Sequence, residues 1–155
     1  MALDGAFLRT IKNEIEAAAI GSRIDKIQQP SREELIFQLR SKGWSGKLLL
    51  SAGADSPRIH FTERPFENPK TPPMFCMFLR KHLSGAKLTA VRQLDMDRVL
   101  YLDFEATDEL GDQKNVTVAV EIMGRHSNII VICDGKVLDS IKRVDSEMSS
   151  VRPVL

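Results

Sequence analysis

The sequence predicts an α+β domain of antiparallel β-sandwich-like sheets with two main helices, and three observations predict it. Short apolar runs of strand length recur along the chain, separated by Gly, Pro and Ser turns. Only two stretches space their apolar residues helically, and strands never alternate with helices in the rhythm of a parallel sheet. The order is helix, strands, helix, strands, with no internal repeat.

Each element has its own warrant. Leu3, Phe7, Leu8, Ile11, Ile15 and Ala18 or Ala19 fall near the helical period, and Gly21 supplies a stop, so an amphipathic helix is expected over Leu3 to Ala19. Ile24 and Ile27, then Leu35 to Leu39, Lys47 to Leu50 and Arg58 to Phe61, read as antiparallel strands. Thr62 to Pro73 holds four prolines and no apolar periodicity, which makes it a loop crossing the domain. A second helix follows: Thr71 can cap its free amides, Pro72 suits the first turn, and Gly85 stands past its end. Arg80, Lys81 and His82 place positive charge on its last turn, where the helix dipole favours it. Met74, Phe75, Met77, Phe78, Leu79 and Leu83 cover more than one face, so this helix is expected to be well buried, with core packing preferred over a methionine-rich partner groove. Strands return at Lys87 to Leu94, Val99 to Ala106, Val116 to Ile122, Ser127 to Cys133 and Lys136 to Val144, and Asp134-Gly135 is a two-residue hairpin signal. Residues 145–155 read as a polar tail or linker, and the stop at Arg152-Pro-Val-Leu155 as a cut, so residues 1–155 are expected to be one domain of a longer multidomain protein.

Composition narrows the class. With 155 residues, 43% hydrophobic and 28% charged, the chain fits one domain with a real core. No run approaches the roughly 20 apolar residues of a membrane span, and Met-Ala-Leu-Asp-Gly lacks the basic and then apolar start of a signal peptide, so a cytoplasmic protein is expected. Cys76 and Cys133 lie far apart in apolar runs, against both a disulfide framework and structural zinc; no metal or cofactor is expected. A net charge of +1 argues against nonspecific coating of nucleic acid, yet Pro57 to Arg98 carries eight Lys or Arg against four acids, and Val99 to Glu121 one Lys against six. That imbalance suggests one basic face.

Two polar connections concentrate recognition chemistry. Glu121-Ile-Met-Gly-Arg-His-Ser-Asn128 lies between the apolar runs Val116 to Val120 and Ile129 to Ile132: Gly124 admits unusual backbone angles, and Arg125, His126, Ser127 and Asn128 carry donors and acceptors on a sheet-supported turn. Asp97-Arg98 stands between two strands, where the guanidinium can fork onto a phosphate or base edge and the carboxylate can orient it. Catalytic constellations are lacking: no phosphate-cradling Gly-rich loop, no Gly-x-Ser-x-Gly, no His-Glu-x-x-His, and no local partner for His60, His82 or His126. Asp95, Asp97, Asp103 and Glu105 read as solvated strand-edge acids, so no enzyme activity is expected.

Taken together, Ala2-Leu-Asp-Gly-Ala-Phe-Leu8, Phe75-Cys-Met-Phe-Leu-Arg-Lys-His-Leu83, Asp97-Arg98, the stretch from Glu121 to Asn128 and Arg152-Pro-Val-Leu155 resemble the NFACT-N domain of the Rqc/NEMF family, whose bacterial members are also called fibronectin-binding protein A homologues. The resemblance covers essentially the whole chain. It implies a ribosome quality-control factor that binds a large ribosomal subunit obstructed by peptidyl-tRNA, recruits alanyl-tRNA and directs template-free alanine tailing. Asp97 and Arg98 match the family's pair needed for tailing, and Asp4 matches the acidic residue of its first helix. Glu121, Ile122 and Met123, with Arg125, His126, Ser127 and Asn128, match its second signature and would lie near bound tRNA, at the anticodon arm. Arg98 and Arg125 should then share one side of the domain. The helix-hairpin-helix, coiled-coil and NFACT-R regions of full members are not in this chain. NFACT-N is also similar in fold to the N-terminal domain of Fpg/Nei-type DNA glycosylases, which supplies a rival DNA-binding reading; those enzymes attack through an N-terminal proline followed by glutamate, where this chain has Ala2 and Leu3. A third reading, adhesion to fibronectin, fits the older family name but not the missing secretion signal.

Overall fold

The structure, a computed structural model, describes residues 5–53, 58–63, 73–93, 98–107, 110–122 and 127–141. Helix α1 spans Gly5–Ala19 and inserts Leu8, Ile15 and Ala19, all fully buried, into the core with Ile11 packed beside them. It ends as its sequence requires. Ser22 folds back, its hydroxyl and its amide donating to the Ala19 carbonyl at 2.6 and 2.9 Å, and Gly21 takes φ 90°, the left-handed region that glycine enters without strain.

Strands β1 (Arg23–Ser31), β2 (Glu34–Ser41), β3 (Trp44–Ser51) and β4 (Arg58–Thr62) come next, then helix α2 (Met74–Leu83). Strands β5 (Lys87–Arg92), β6 (Val99–Thr107), β7 (Gln113–Glu121), β8 (Asn128–Cys133) and β9 (Lys136–Ser140) complete the order. Asp134 and Gly135, at φ 53° and 76°, make the expected primed turn between β8 and β9.

The antiparallel α+β architecture is as expected, but the two expected sheets are one. Nine strands form a single hydrogen-bonded ladder in the order β4-β3-β2-β1-β5-β6-β7-β8-β9. Its weak point is the join of β1 to β5, where the register holds one pair, Arg23 with Lys87. Backbone bonds reinforce that corner: Gly21 and Leu88 amides donate to the Leu88 and Ser22 carbonyls, both at 2.8 Å, and the Ile24 amide to the Ala86 carbonyl at 2.9 Å. On either side the leaves fold face to face, so that Phe37 of β2 meets Phe104 of β6 edge-on, with ring centroids 5.6 Å apart and planes at 74°. Alternate residues feed this shared core: Leu35, Phe37 and Leu39, Leu48 and Leu50 from one leaf, and Leu100, Leu102 and Phe104, Val116, Val118 and Val120 from the other.

Helix α1 packs against β2, β4 and β5, and α2 against β1 and β6. Two expectations about α2 are corrected. Its N-cap position is Pro73, which offers no side-chain cap; its carbonyl accepts from the Met77 amide at 3.1 Å, while Thr71 lies outside the described residues. Nor is the helix buried on all sides: Phe75, Cys76, Leu79 and Leu83 form one inward stripe, which leaves Met74 and Met77 on the opposite face, 77% and 55% exposed. The C-terminal reading stands, with Gly85 at φ 77° just past the end and Arg80, Lys81 and His82 in the last turn.

Candidate functional site

In an antiparallel meander the connections alternate between the two ends of the sheet. The β5–β6 and β7–β8 connections therefore share one end, and the β6–β7 and β8–β9 connections share the other. Register joins the first pair closely. Val99 stands opposite Glu121, Glu121 opposite Asn128, and the Ile122 amide donates to the Arg98 carbonyl at 2.8 Å. A third anchor comes from α1: Arg9 donates through Nε to Oε1 of Gln93, at 2.7 Å, across 84 positions of sequence. Gln93 is the last described residue before the β5–β6 connection and is only 8% exposed.

Two separate signatures thus converge on one end of the sheet, and helix α1 reaches the same end through Arg9. Asp4, Asp97, Met123, Arg125 and His126 lie outside the described residues, so the expected placement of Arg125 beside Arg98 falls there too. Their described neighbours Gly5, Arg98, Ile122 and Ser127 lie at the margins of these motifs.

Among the described residues of the two signatures the side chains divide sharply. Arg98 is exposed. Glu121 and Ser127 are fully buried, Ile122 is 1% and Asn128 3% exposed, and the Asn128 Oδ1 accepts from the Ile129 amide at 2.9 Å. Polar groups withdrawn this far from water are satisfied by protein. Arg98 is the group of this set that presents charge to solvent.

Of the strand-edge acids, Asp95 and Asp97 lie outside the described residues, and Asp103 and Glu105 are held by protein partners. Asp103 receives two bonds from Arg92, Nε to Oδ2 at 2.5 Å and Nη2 to Oδ1 at 3.0 Å, and a third from the Thr117 hydroxyl at 2.7 Å. Glu105 accepts from Gln113 at 2.6 Å. Arg92 also lies over the Tyr101 ring, 5.1 Å from its centroid, and the hydrogen bond to Asp103 pushes its pKa up, keeping it charged.

Of the basic block in the charge count, Arg64 and Lys70 lie outside the described residues. Lys81, His82, Lys114 and Lys136 line a cleft of about 510 Å³ at the opposite end of the sheet, with Ala106, Val116, Cys133 and Leu138 among its apolar residues. Lys81 lies in the last turn of α2, and Arg92 of β5 pairs with Asp103. His82 itself packs its ring against Phe78, centroids 4.4 Å apart. Among the described residues no helix is long and apolar enough to cross a membrane, and no group of three or more His, Cys, Asp or Glu could hold a metal ion.

Sequence reading missed Arg9 and Gln93. A lone Arg beside Leu8 and a Gln ending a strand carry no local mark that they meet, since the pairing arises only when α1 lies along β5.

Comparison with known proteins agrees over the whole length. The family model described as "NFACT N-terminal and middle domains" matches residues 4–155. "Rqc2 homolog RqcH" of Bacillus subtilis is 41% identical across 100% of this chain, and the chain spans 28% of that protein. "Ribosome quality control complex subunit NEMF" of Homo sapiens is 31% identical over 72% of this chain and 11% of that protein. Among solved structures, the N-terminal part of the fibronectin/fibrinogen-binding protein from Streptococcus suis superposes with a TM-score of 0.91 at 43% identity, covering 99% of this chain and 58% of that one. The N-terminal domain of fibronectin-binding protein PavA from Streptococcus pneumoniae gives 0.90 at 40% identity, covering 98% and 58%.

Proposed function

Because this chain belongs to the family of NFACT N-terminal and middle domains, we propose that it is the tRNA-facing module of a ribosome quality-control factor. In this reading the whole cytoplasmic protein engages an obstructed large ribosomal subunit carrying peptidyl-tRNA, recruits alanyl-tRNA and directs template-free alanine tailing of the stalled chain. The ribosome forms the peptide bonds, so the domain is an adaptor and not an enzyme. One observation carries the assignment: two signatures distant in sequence meet at one end of the sheet, with Arg98 exposed there and Glu121, Ser127 and Asn128 buried behind it.

The division of side chains suggests a division of labour. Arg98, with Asp97 beside it, supplies the contact to phosphate or base edge, and Arg125 adds a second cation on the neighbouring connection. Glu121, Ile122, Ser127 and Asn128 hold the turn in shape. Rigid turns bearing Arg, Ser, Asn and His suit RNA, whose splayed bases, ribose hydroxyls and phosphates are read at short range. With a net charge of +1 the isolated domain would bind tRNA weakly and draws its affinity from the ribosome and further domains. The deciding experiment replaces Asp97 and Arg98 by Ala in the full-length protein and follows alanine tailing on purified obstructed subunits. Tailing should be lost with the fold intact, and unchanged tailing sinks the assignment.

We also read the folded-over sheet as the architecture of the Fpg/Nei-type N-terminal domain with its glycosylase chemistry absent, since Ala2 and Leu3 stand where that chemistry needs proline and glutamate. Borohydride trapping on abasic DNA should leave no covalent adduct. A second functional reading is favoured by the names of the solved relatives, which are fibronectin- or fibrinogen-binding proteins. Saturable binding of soluble fibronectin, joined to unchanged tailing in the Asp97 and Arg98 double variant, would move the assignment to adhesion.

A further inference from the structure

We infer that the lysine-lined cleft at the far end of the sheet is a docking site for an acidic protein segment carrying a large apolar side chain; the inference stands apart from the tRNA-facing reading above. Lys81 comes from the last turn of α2, Lys114 from the start of β7 and Lys136 from the start of β9, so three separate elements bring positive charge to one place. Asp134 is the one acid among the described lining residues, in a chain whose 22 Lys and Arg are nearly balanced by 21 acids. Like charges gathered in a concave site repel one another and focus a positive potential, which an anionic partner relieves. Neither Lys81 nor Lys136 has an ion-pair partner among the described residues, so both ammonium groups stand available to such a partner.

The apolar lining decides which anion fits. Ala106, Val116 and Cys133 are buried at the cleft wall, whereas Leu110 and Leu138 line it at 87% and 43% exposure. Leu138 also stands at a bulge: the β8–β9 ladder passes from Ile132 opposite Val137 to Val131 opposite Asp139 and leaves Leu138 unpaired. Bulges of this kind re-aim a side chain, here one that lines the cleft. An RNA backbone would satisfy the lysines and leave both leucines in water. A peptide with carboxylates flanking a Leu or Phe satisfies the lysines and covers the leucines, matching the apolar centre and polar rim of protein interfaces. The volume of about 510 Å³ is within the range of roughly 300–1,000 Å³ in which pockets enclose a ligand.

The experiment follows fluorescence anisotropy of labelled probes titrated with the full-length protein, with thermal unfolding recorded for every variant. The probes are a short peptide alternating Asp and Glu with pairs of Leu, its Asn and Gln counterpart, its counterpart with Ser for Leu, and an oligouridine RNA of the same length. The acidic, Leu-bearing peptide should bind saturably, roughly tenfold tighter than each of the other three, and more weakly as salt is raised. Lys81→Ala and Lys136→Ala should each weaken it roughly threefold, and the double variant roughly tenfold, since the two lysines sit on separate elements. Leu138→Ser should weaken it roughly fivefold. These side chains are exposed, so the unfolding temperatures should stay close to that of wild type. The inference is overturned if no saturable binding of the acidic peptide is seen, if its Asn and Gln counterpart binds as well, or if the double lysine variant binds it like wild type. It is overturned equally if the oligouridine binds more tightly than the peptide and loses that binding in the lysine variants, which would make the cleft a nucleic-acid contact.

Discussion

Gly46 illustrates a constraint that one residue places on its surroundings. A Cβ at this position would stand 2.8 and 2.9 Å from Cζ2 and Cη2 of Trp44, whose ring also meets Phe61 edge-on with centroids 5.7 Å apart. Gly46→Ala should therefore cost about 1–3 kcal/mol of stability. Trp44 is the one tryptophan of these 155 residues, so denaturant unfolding of this chain followed by its fluorescence reads both the loss and the shifted ring. Cys76 provides a second residue-scale test. Burial pushes its thiol pKa up from the ordinary 9.0, although the positive charge of Arg80 opposes the shift. The folded chain then holds a proton that the unfolded chain releases. Stability from this group is fully present below pH 9 and declines as the solution becomes more alkaline. Iodoacetamide at pH 8.5 should label Cys76 slowly in the native protein and rapidly in denaturant; equal rates would contradict the burial. The thiol's apolar setting was legible from the run around it, whereas the Gly46 contact depends on how Trp44 folds back and leaves no trace in composition.

Helix α2 shows what periodicity can and cannot reveal about an element. Its existence, its glycine stop and its basic last turn all follow from local chemistry and are present. The burial of its methionines does not follow, because every position of Met-Phe-Cys-Met-Phe-Leu is apolar and the sequence cannot rank the faces. Packing against β1 and β6 makes the choice, turning Cys76 and Arg80 toward the Ile27 carbonyl at 3.5 and 2.9 Å. Leu79→Ala should then cost about 2–5 kcal/mol, while Met77→Ala should stay within about 0.5 kcal/mol. Parallel urea titrations of the two variants check the difference, and equal midpoints would mean that the inward stripe is misassigned. The strands were easier to read, because alternation along Leu100 to Ala106 matches a sheet with one face on the core, whereas β7 buries both faces from Val118 to Glu121.

At the scale of the whole molecule the sequence predicts two sheets, and the difference lies in a corner that no short segment encodes. Gly21, Ser22 and Ile24 meet Ala86 and Leu88 through backbone groups alone, so no side-chain pattern announces the join. The recognition end was more legible than that corner, because polar connections between apolar strands stand out on their own. That Glu121, Ser127 and Asn128 would be buried was not legible, since the sequence shows polarity and not its direction. The folded sheet predicts that its leaves do not unfold separately. Phe104→Ala should cost about 3–5 kcal/mol, and Trp44 fluorescence on the opposite leaf should shift together with far-ultraviolet circular dichroism. Two separated transitions would show that the leaves are independent units.

The alternation of the meander also makes β7 a ruler. Its nine residues hold the Arg98 end about 30 Å from the turn at Leu110. Leu110 is 87% exposed and both native thiols are buried, so a cysteine placed there would accept a dye selectively. Energy transfer from that dye to a fluorophore on tRNA would report the RNA's approach from the far side of the domain, with the label standing clear of the contact it measures.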